Sequence, residues 1–271
     1  MVDNFLLLVQ NPNFALDVVL NGLLAGAIFA LAAYGMSLVW GVLNIVNIVQ
    51  GELVVLGGYI AYAALSHGVP AYAALPVSAL AMFAIGWGLY YTVIFRVVDK
   101  DLFISILATF GLSIVIQQLT NTIFGSDVRS FDTGLGSFYM LDGAVTVAWI
   151  KVIAFVLAMV SGGVLWLFLR HARLGQAIRA TAQNPRAAHI LGINTDRVYA
   201  MTYGLNGALC GAAGSLAVMA WTIHPYIGLP YTVRSFMIVG VAGQIAFVFT
   251  LMVLILVWRN WRAARRRTYL S

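Results

Sequence analysis

Residues 18–51 read VVLNGLLAGAIFALAAYGMSLVWGVLNIVNIVQG, an unbroken stretch without Asp, Glu, Lys or Arg. A helix needs about 20 apolar residues to cross a hydrocarbon core of about 30 Å, so this run holds one crossing and the start of another. Further charge-free runs cover 53–95, 102–126, 152–169, 198–233 and 235–258. Of 271 residues, 62% are hydrophobic and 9% charged, where an ordinary soluble domain has about 25% charged. No soluble fold can cover that much apolar surface. The same hydrophobicity excludes disorder, and Cys210, the single cysteine, excludes a disulfide scaffold.

Turn residues divide the runs. Ser66-His67-Gly68-Val69-Pro70 breaks the longest, and His224-Pro225 with Gly228 and Pro230 ends another. About seven transmembrane helices are expected, at 18–40, 44–65, 71–95, 102–124, 147–169, 198–223 and 234–258. The fold class is therefore all-α, a polytopic integral membrane protein with residues 1–271 as one domain. Residues 1–17 carry Asp3 and Asp17 but no Lys or Arg, so the first span is expected to remain as an anchor.

Orientation follows from the basic residues. With the N-terminus outside, alternation places Arg96, Lys100, Arg170, Arg173, Arg179, Arg186, Arg197 and the tail arginines of 259–271 in the cytoplasm. Arg129, Lys151 and Arg234 then fall outside or at outer helix ends, as do Asp17, Asp127, Asp132 and Asp142. This is a positive-inside distribution with the C-terminus cytoplasmic. The net charge of +6 accordingly reads as an orientation signal, and nucleic acid is not an expected partner.

Small residues at four-residue spacing mark helix packing faces: Gly22, Gly26 and Ala30 in the first span, Gly207, Gly211 and Ser215 in the sixth. Enzyme chemistry is not in view. A phosphate loop needs Gly-Lys-Ser/Thr, but the two lysines occur as Asp99-Lys100-Asp101 and Ile150-Lys151-Val152. His67, His171, His189 and His224 fall in separate loops, with no metal-ligand spacing and no cysteine beside them.

The polar residues inside the spans are the candidates for function. Asn44, Asn47, Gln50 and Glu52 open the second span; Asn44, Asn47 and Gly51 share a face if the helix is regular. Glu52 would then lie eight residues into the span, about 12 Å from its cytoplasmic end. An intramembrane acid is by default a functional residue, and a glycine among polar residues also suits a helix break lining a cavity. Thr109, Ser113 and Gln117 share a face of the fourth span, and Asn206 lies in the sixth. All of these serve equally as a substrate pathway or as interhelical hydrogen bonds; spacing does not choose.

The cytoplasmic loop 170–197 is more specific: RHARLGQAIRATAQNPRAAHILGINTDR. Asn184 is an N-cap, Pro185 the first helical residue and Gly192 the C′ position of a short helix. Leu174, Ala177, Ile178 and Thr181 form one face of a preceding helix that carries Arg179 elsewhere. Two short helices between spans suit either a docking surface or a solvated positive-inside loop.

This loop, together with NGLLAGAIFALAAYGMSLVWGVLNIVNIVQGELVVLGGYIAY and HPYIGLPYTVRSFMIVG, resembles permeases of branched-chain amino acid ABC importers over nearly the whole chain. The resemblance implies a multi-pass protein of the bacterial inner membrane. It pairs with a second permease subunit, two cytoplasmic ABC ATPases and a periplasmic substrate-binding protein. The chain itself would bind no cofactor; ATP is used by the partners. Arg179, Asn184, Pro185, Ala187, Ala188, Leu191, Gly192 and Ile193 would couple to the ATPase, and the segment from Asn44 to Glu52 would contribute to the passage. Related permeases serve urea, amides and sugars, and a stand-alone channel or secondary transporter is the rival class. One departure stands out: Gly243 runs straight into Gln244 where the family carries a glycine-rich stretch and another segment, which suggests an internal deletion.

Overall fold

A computed structural model describes residues 12–98, 100–140 and 145–240. Its helices are α1 (Pro12–Leu43), α2 (Gln50–Ser66), α3 (Ala71–Thr92), α4 (Leu102–Phe124), α5 (Trp149–His171), α6 (Arg173–Gln183), α7 (Pro185–Ile190) and α8 (Thr195–Ala220). A further helix, α9, begins at 228 and is described to 240. A 3₁₀ turn at Ile94–Arg96 continues α3. Among the described residues, five helices are long and apolar enough to cross a membrane: Asn13–Leu43, Ala71–Arg96, Leu102–Phe124, Trp149–His171 and Thr195–Ala220.

Two of the seven expected spans differ. The second is helical only from Gln50, and its 17 residues make about 26 Å of helix; residues 44–47 are not helical. Asn44 and Asn47 therefore do not share a helical face with Gly51. Asn44 takes φ 53°, a left-handed conformation that stops α1. The seventh span has its first residues in α9, and the rest of it lies outside the described residues, as do the junction at Gly243 and the tail 259–271.

To the mostly helical fold the structure adds one short pair of strands. Ser137–Met140 (β1) pairs antiparallel with Val145–Ala148 (β2), Ser137 opposite Ala148. Val145 and Val147 are buried while Thr146 is exposed, the two-residue alternation of a half-buried strand. This hairpin is pinned to α1 and α5. The Thr146 N–H donates to Asp17 Oδ1 at 3.0 Å, Asn21 Nδ2 donates to the Thr146 carbonyl at 3.0 Å, and Lys151 Nζ donates to Asn21 Oδ1 at 2.9 Å.

The connections define two ends. Asp17, Asp127, Arg129, Asp132 and Lys151 lie at the hairpin end. Arg96, Lys100, Asp101, Arg170, Arg173, Arg179, Arg186, Asp196 and Arg197 lie at the end carrying α6 and α7. α8 is the centre of the bundle, with buried residues along its length from Val198 to Val218, whereas α5 turns Val156, Met159, Val160, Val164 and Leu167 outward.

Lipid supplies no hydrophobic drive between helices, so close packing must do the work. It does so where glycines face backbone. A Cβ on Gly57 of α2 would stand 2.7 Å from Gly211 Cα, and one on Gly58 3.0 Å from the Gly214 carbonyl oxygen. On the α3 side, a Cβ on Gly86 would stand 2.8 Å from the Tyr203 carbonyl oxygen and one on Gly211 2.7 Å from that of Ser78. Gly207 faces the Met82 carbonyl, and Ser215 is buried with its hydroxyl donating to Gly211 O at 2.8 Å. The sixth-span stripe thus lies at close helix contacts. Gly22 and Gly26 do not: a Cβ on either meets nothing within 4 Å, so this stripe of α1 makes no tight helix contact among the described residues.

Candidate functional site

Two places gather polar chemistry. The first is a junction deep in the bundle where two non-helical stretches meet. Residues 44–49 climb from the end of α1 to Gln50, whose Nε2 donates to the Ala32 carbonyl at 2.8 Å. Ala32 lies eleven residues before Leu43, so α2 begins about 16 Å above that end. From the opposite end, residues 221–227 leave α8, pair Ile223 with Arg129, and reach Gly228, which lies against the Glu52 carboxylate. Both α2 and α9 therefore start inside the bundle.

A non-helical backbone at that depth must have its polar groups satisfied by protein. α4 supplies two hydroxyls. Ser105 Oγ accepts from Val46 N–H at 3.4 Å; Thr109 Oγ1 accepts from Ile48 N–H at 3.2 Å and donates toward the Val46 carbonyl at 3.0 Å. α9 supplies Thr232, whose Oγ1 accepts from Gly51 N–H at 2.8 Å and donates toward the Ile48 carbonyl at 2.9 Å. Leaving such a group unpaired costs about 1–3 kcal/mol, so three side chains from distant sequence hold the break open.

The expected pathway residues separate on this geometry. Asn47, Gln50 and Asn206 are buried together. Asn47 Nδ2 donates to Gln50 Oε1 at 3.0 Å, Tyr203 OH donates to Asn47 Oδ1 at 3.2 Å, and Gln50 Nε2 lies 3.2 Å from Cys210 Sγ. Asn206 Oδ1 lies 3.8 Å from the same sulfur, and its Nδ2 is buried without a partner. This group closes the space among α1, α2 and α8 with hydrogen bonds internal to the chain. Glu52, 4% exposed, stands apart from it, in the first turn of α2 with its carboxylate on Gly228. Asn44 is exposed at the corner after α1, and Ser113 and Gln117 are half-buried; these three do not join the junction. Thr232, Gly228, Ser105, Tyr203 and Cys210 are members that sequence reading missed.

The second place is the pair α6 and α7. Asn184 caps α7 as expected, its Oδ1 accepting from Ala187 N–H at 3.0 Å, with Pro185 in the first turn. Gly192 follows at φ 86°, a conformation that favours glycine. Ile178 and Thr181 are buried as expected, and Leu174 and Ala177 are half-buried. Arg179 is exposed, its Nη2 donating to the Arg170 carbonyl at 3.2 Å. Gly175 seats α6 against the end of α5: a Cβ there would lie 2.6 Å from Leu169 Cα.

Two of the expected docking residues turn toward the fold. Ala188 is 2% exposed, and Ile193 is half-buried against the core, so neither is presented outward. The outward apolar residues are Ala187, Ile190 and Leu191, the last two 83% and 81% exposed. Ile190 falls inside the stretch 187–194 that the family resemblance seats in the ATPase, although it was not singled out there. Behind α7 lies a cavity of about 760 Å³ lined by Tyr90, Phe95, Arg186, His189 and Asp196 among others.

Comparison with known proteins agrees with this architecture. The sequence model of the family described as branched-chain amino acid transport system, permease component, matches residues 18–262. The high-affinity branched-chain amino acid transport system permease protein LivH of Salmonella typhimurium is 30% identical over 243 residues, covering 82% of this chain and 77% of LivH. LivH of Escherichia coli K12 is 27% identical over 241 residues, with the same two coverages. The ribose import permease RbsC of Haemophilus influenzae is 26% identical, covering 86% of this chain and 71% of RbsC. No solved structure matches the chain significantly. The chain, a multi-pass membrane protein by its apolar helices, belongs to the family of branched-chain amino acid transport system permease components.

Proposed function

We propose that this chain is the transmembrane permease subunit of an ATP-driven importer of branched-chain amino acids in the bacterial inner membrane. In this reading the hairpin end is outside and the α6–α7 end cytoplasmic, which puts the basic cluster inside. A second permease subunit, two cytoplasmic ABC ATPases and a periplasmic binding protein complete the machine. Closure of the ATPases on ATP moves α7, and the permease pair alternates between inward-open and outward-open states.

The observation that carries this reading is α7 itself. A six-residue helix with both ends locked by local chemistry displays Ile190 and Leu191 to solvent, and a rigid apolar knob outside the membrane is a protein contact in waiting. Replacing both with Asp should leave insertion intact and reduce binding-protein-stimulated ATP hydrolysis of the assembled complex by more than about tenfold, as for loss of apolar anchors at an interface. Full stimulated hydrolysis by that double variant would show that α7 does not dock the ATPase.

The match to ribose permeases favours one second reading, import of another small solute such as a sugar. An internal deletion somewhere in the chain accords with the alignment lengths. The LivH alignment spans 243 positions but only 82% of this chain's 271 residues, so LivH carries residues opposite gaps here.

A further inference from the structure

Arg234 was expected at an outer helix end, but α9 carries it to the middle level of the bundle, on an exposed face. Its guanidinium carbon lies 4.6 Å from the centre of the Phe29 ring. Phe29 is eight residues beyond Asn21, a member of the polar group at the hairpin end, and fourteen before Leu43; the cation is thus about 12 Å and about 21 Å from these two levels. Phe29 in turn stacks on Trp221 at 5.8 Å and tilts against Tyr231 at 5.3 Å. The Arg234 side chain is exposed. Among the described residues the one ion pair is Arg129 with Asp127, so no described carboxylate neutralises it.

A charged group at such depth faces a partner or an aqueous path rather than hydrocarbon. Arg234 lies two residues beyond Thr232, which ties α9 to the broken start of α2, and mid-depth breaks of this kind are where transporters hold their cargo. The Arg234 guanidinium, set over the Phe29 ring, is complementary to an amino acid's carboxylate.

We propose that Arg234 holds the carboxylate of the amino acid during passage, with the half-buried rings of Phe29 and Trp221 receiving its apolar side chain. Guanidinium matches carboxylate in a two-pronged, charge-assisted geometry that lysine cannot reproduce. This rests on the cargo being an amino acid, as proposed above.

The test uses the complete importer in proteoliposomes with leucine as the probe. Arg234→Gln should co-purify with the second permease yet lose leucine uptake by at least about tenfold, and Arg234→Lys should recover part of it. Arg234→Cys provides a charge-specific readout, since Cys210 is fully buried. A cationic methanethiosulfonate should modify residue 234, more slowly with leucine present, and restore uptake, whereas a neutral reagent of equal size should not. Unchanged uptake by Arg234→Gln, or an unreactive Arg234→Cys, overturns the inference. Loss of co-purification overturns it in favour of an ion pair between subunits. Failure of the amino-acid reading is separately visible, because the unmodified complex would then take up no leucine.

Discussion

Replacing Gly214 with valine should abolish recovery of folded chain. A Cβ at this position falls on the Val54 carbonyl and the Gly58 amide and stands 3.0 Å from the Gly57 carbonyl carbon, all of them backbone. Backbone inside a helix cannot step aside as a flexible side chain does, so α2 and α8 must separate along their contact. Separation removes the approach of Gly57 to Gly211, the Tyr203–Asn47 hydrogen bond and the Gln50–Cys210 contact. The combined loss should exceed about 4 kcal/mol, the range reserved for overpacking joined to broken buried polar groups. It reads out as disappearance of the monodisperse species in detergent. Gly22→Val is the matched control: its Cβ meets nothing within 4 Å, so stability of the single chain should change by less than about 0.5 kcal/mol. Equal tolerance of both substitutions would mean that α2 and α8 do not pack as described.

The second large effect concerns the junction. Gly228→Val would place its side chain where the Glu52 carboxylate now lies, forcing the carboxylate out and shifting Thr232 from Ile48 and Gly51. Insertion depends on the long helices and should survive. Leucine uptake by the complete importer should fall by more than about tenfold, as when a positioning group moves by about 1 Å. Leu229→Val, one residue on and 60% exposed, should transport normally. If Gly228→Val also transports normally, the junction is scaffolding and the passage lies elsewhere.

These predictions show where sequence reading stops. The long spans and the caps of α7 were legible because their signals are local: charge-free runs in one case, Asn184, Pro185 and Gly192 within nine residues in the other. The break at 44–49 was only half legible. Ile45, Val46, Ile48 and Val49 look like helix, and what keeps them from it is Asn44 at positive φ with hydroxyls from Ser105, Thr109 and Thr232. Partners some sixty and 180 positions away leave no trace in a window of sequence.

The packing stripes teach the same point. Periodicity identified Gly22–Gly26 and Gly207–Gly211 alike, yet one meets nothing and the other meets α3, because spacing reveals a face but not its neighbour. Ala188 and Ile190 differ in the same way. Both sit on one short helix, and the fold alone decides that the first turns in and the second out. Arg234 was visible as the one charge between two apolar runs, but its depth is set by where α9 begins, which the sequence does not mark.

The claim on which the rest depends is that this chain transports only as part of an ATP-driven assembly. Uptake of labelled leucine into proteoliposomes should be measured with all subunits, and again omitting the ATPases, the binding protein or this chain in turn. The account predicts ATP-dependent uptake with the full set and background levels after each omission. Leucine entry through this chain alone, without ATPases or ATP, would contradict it.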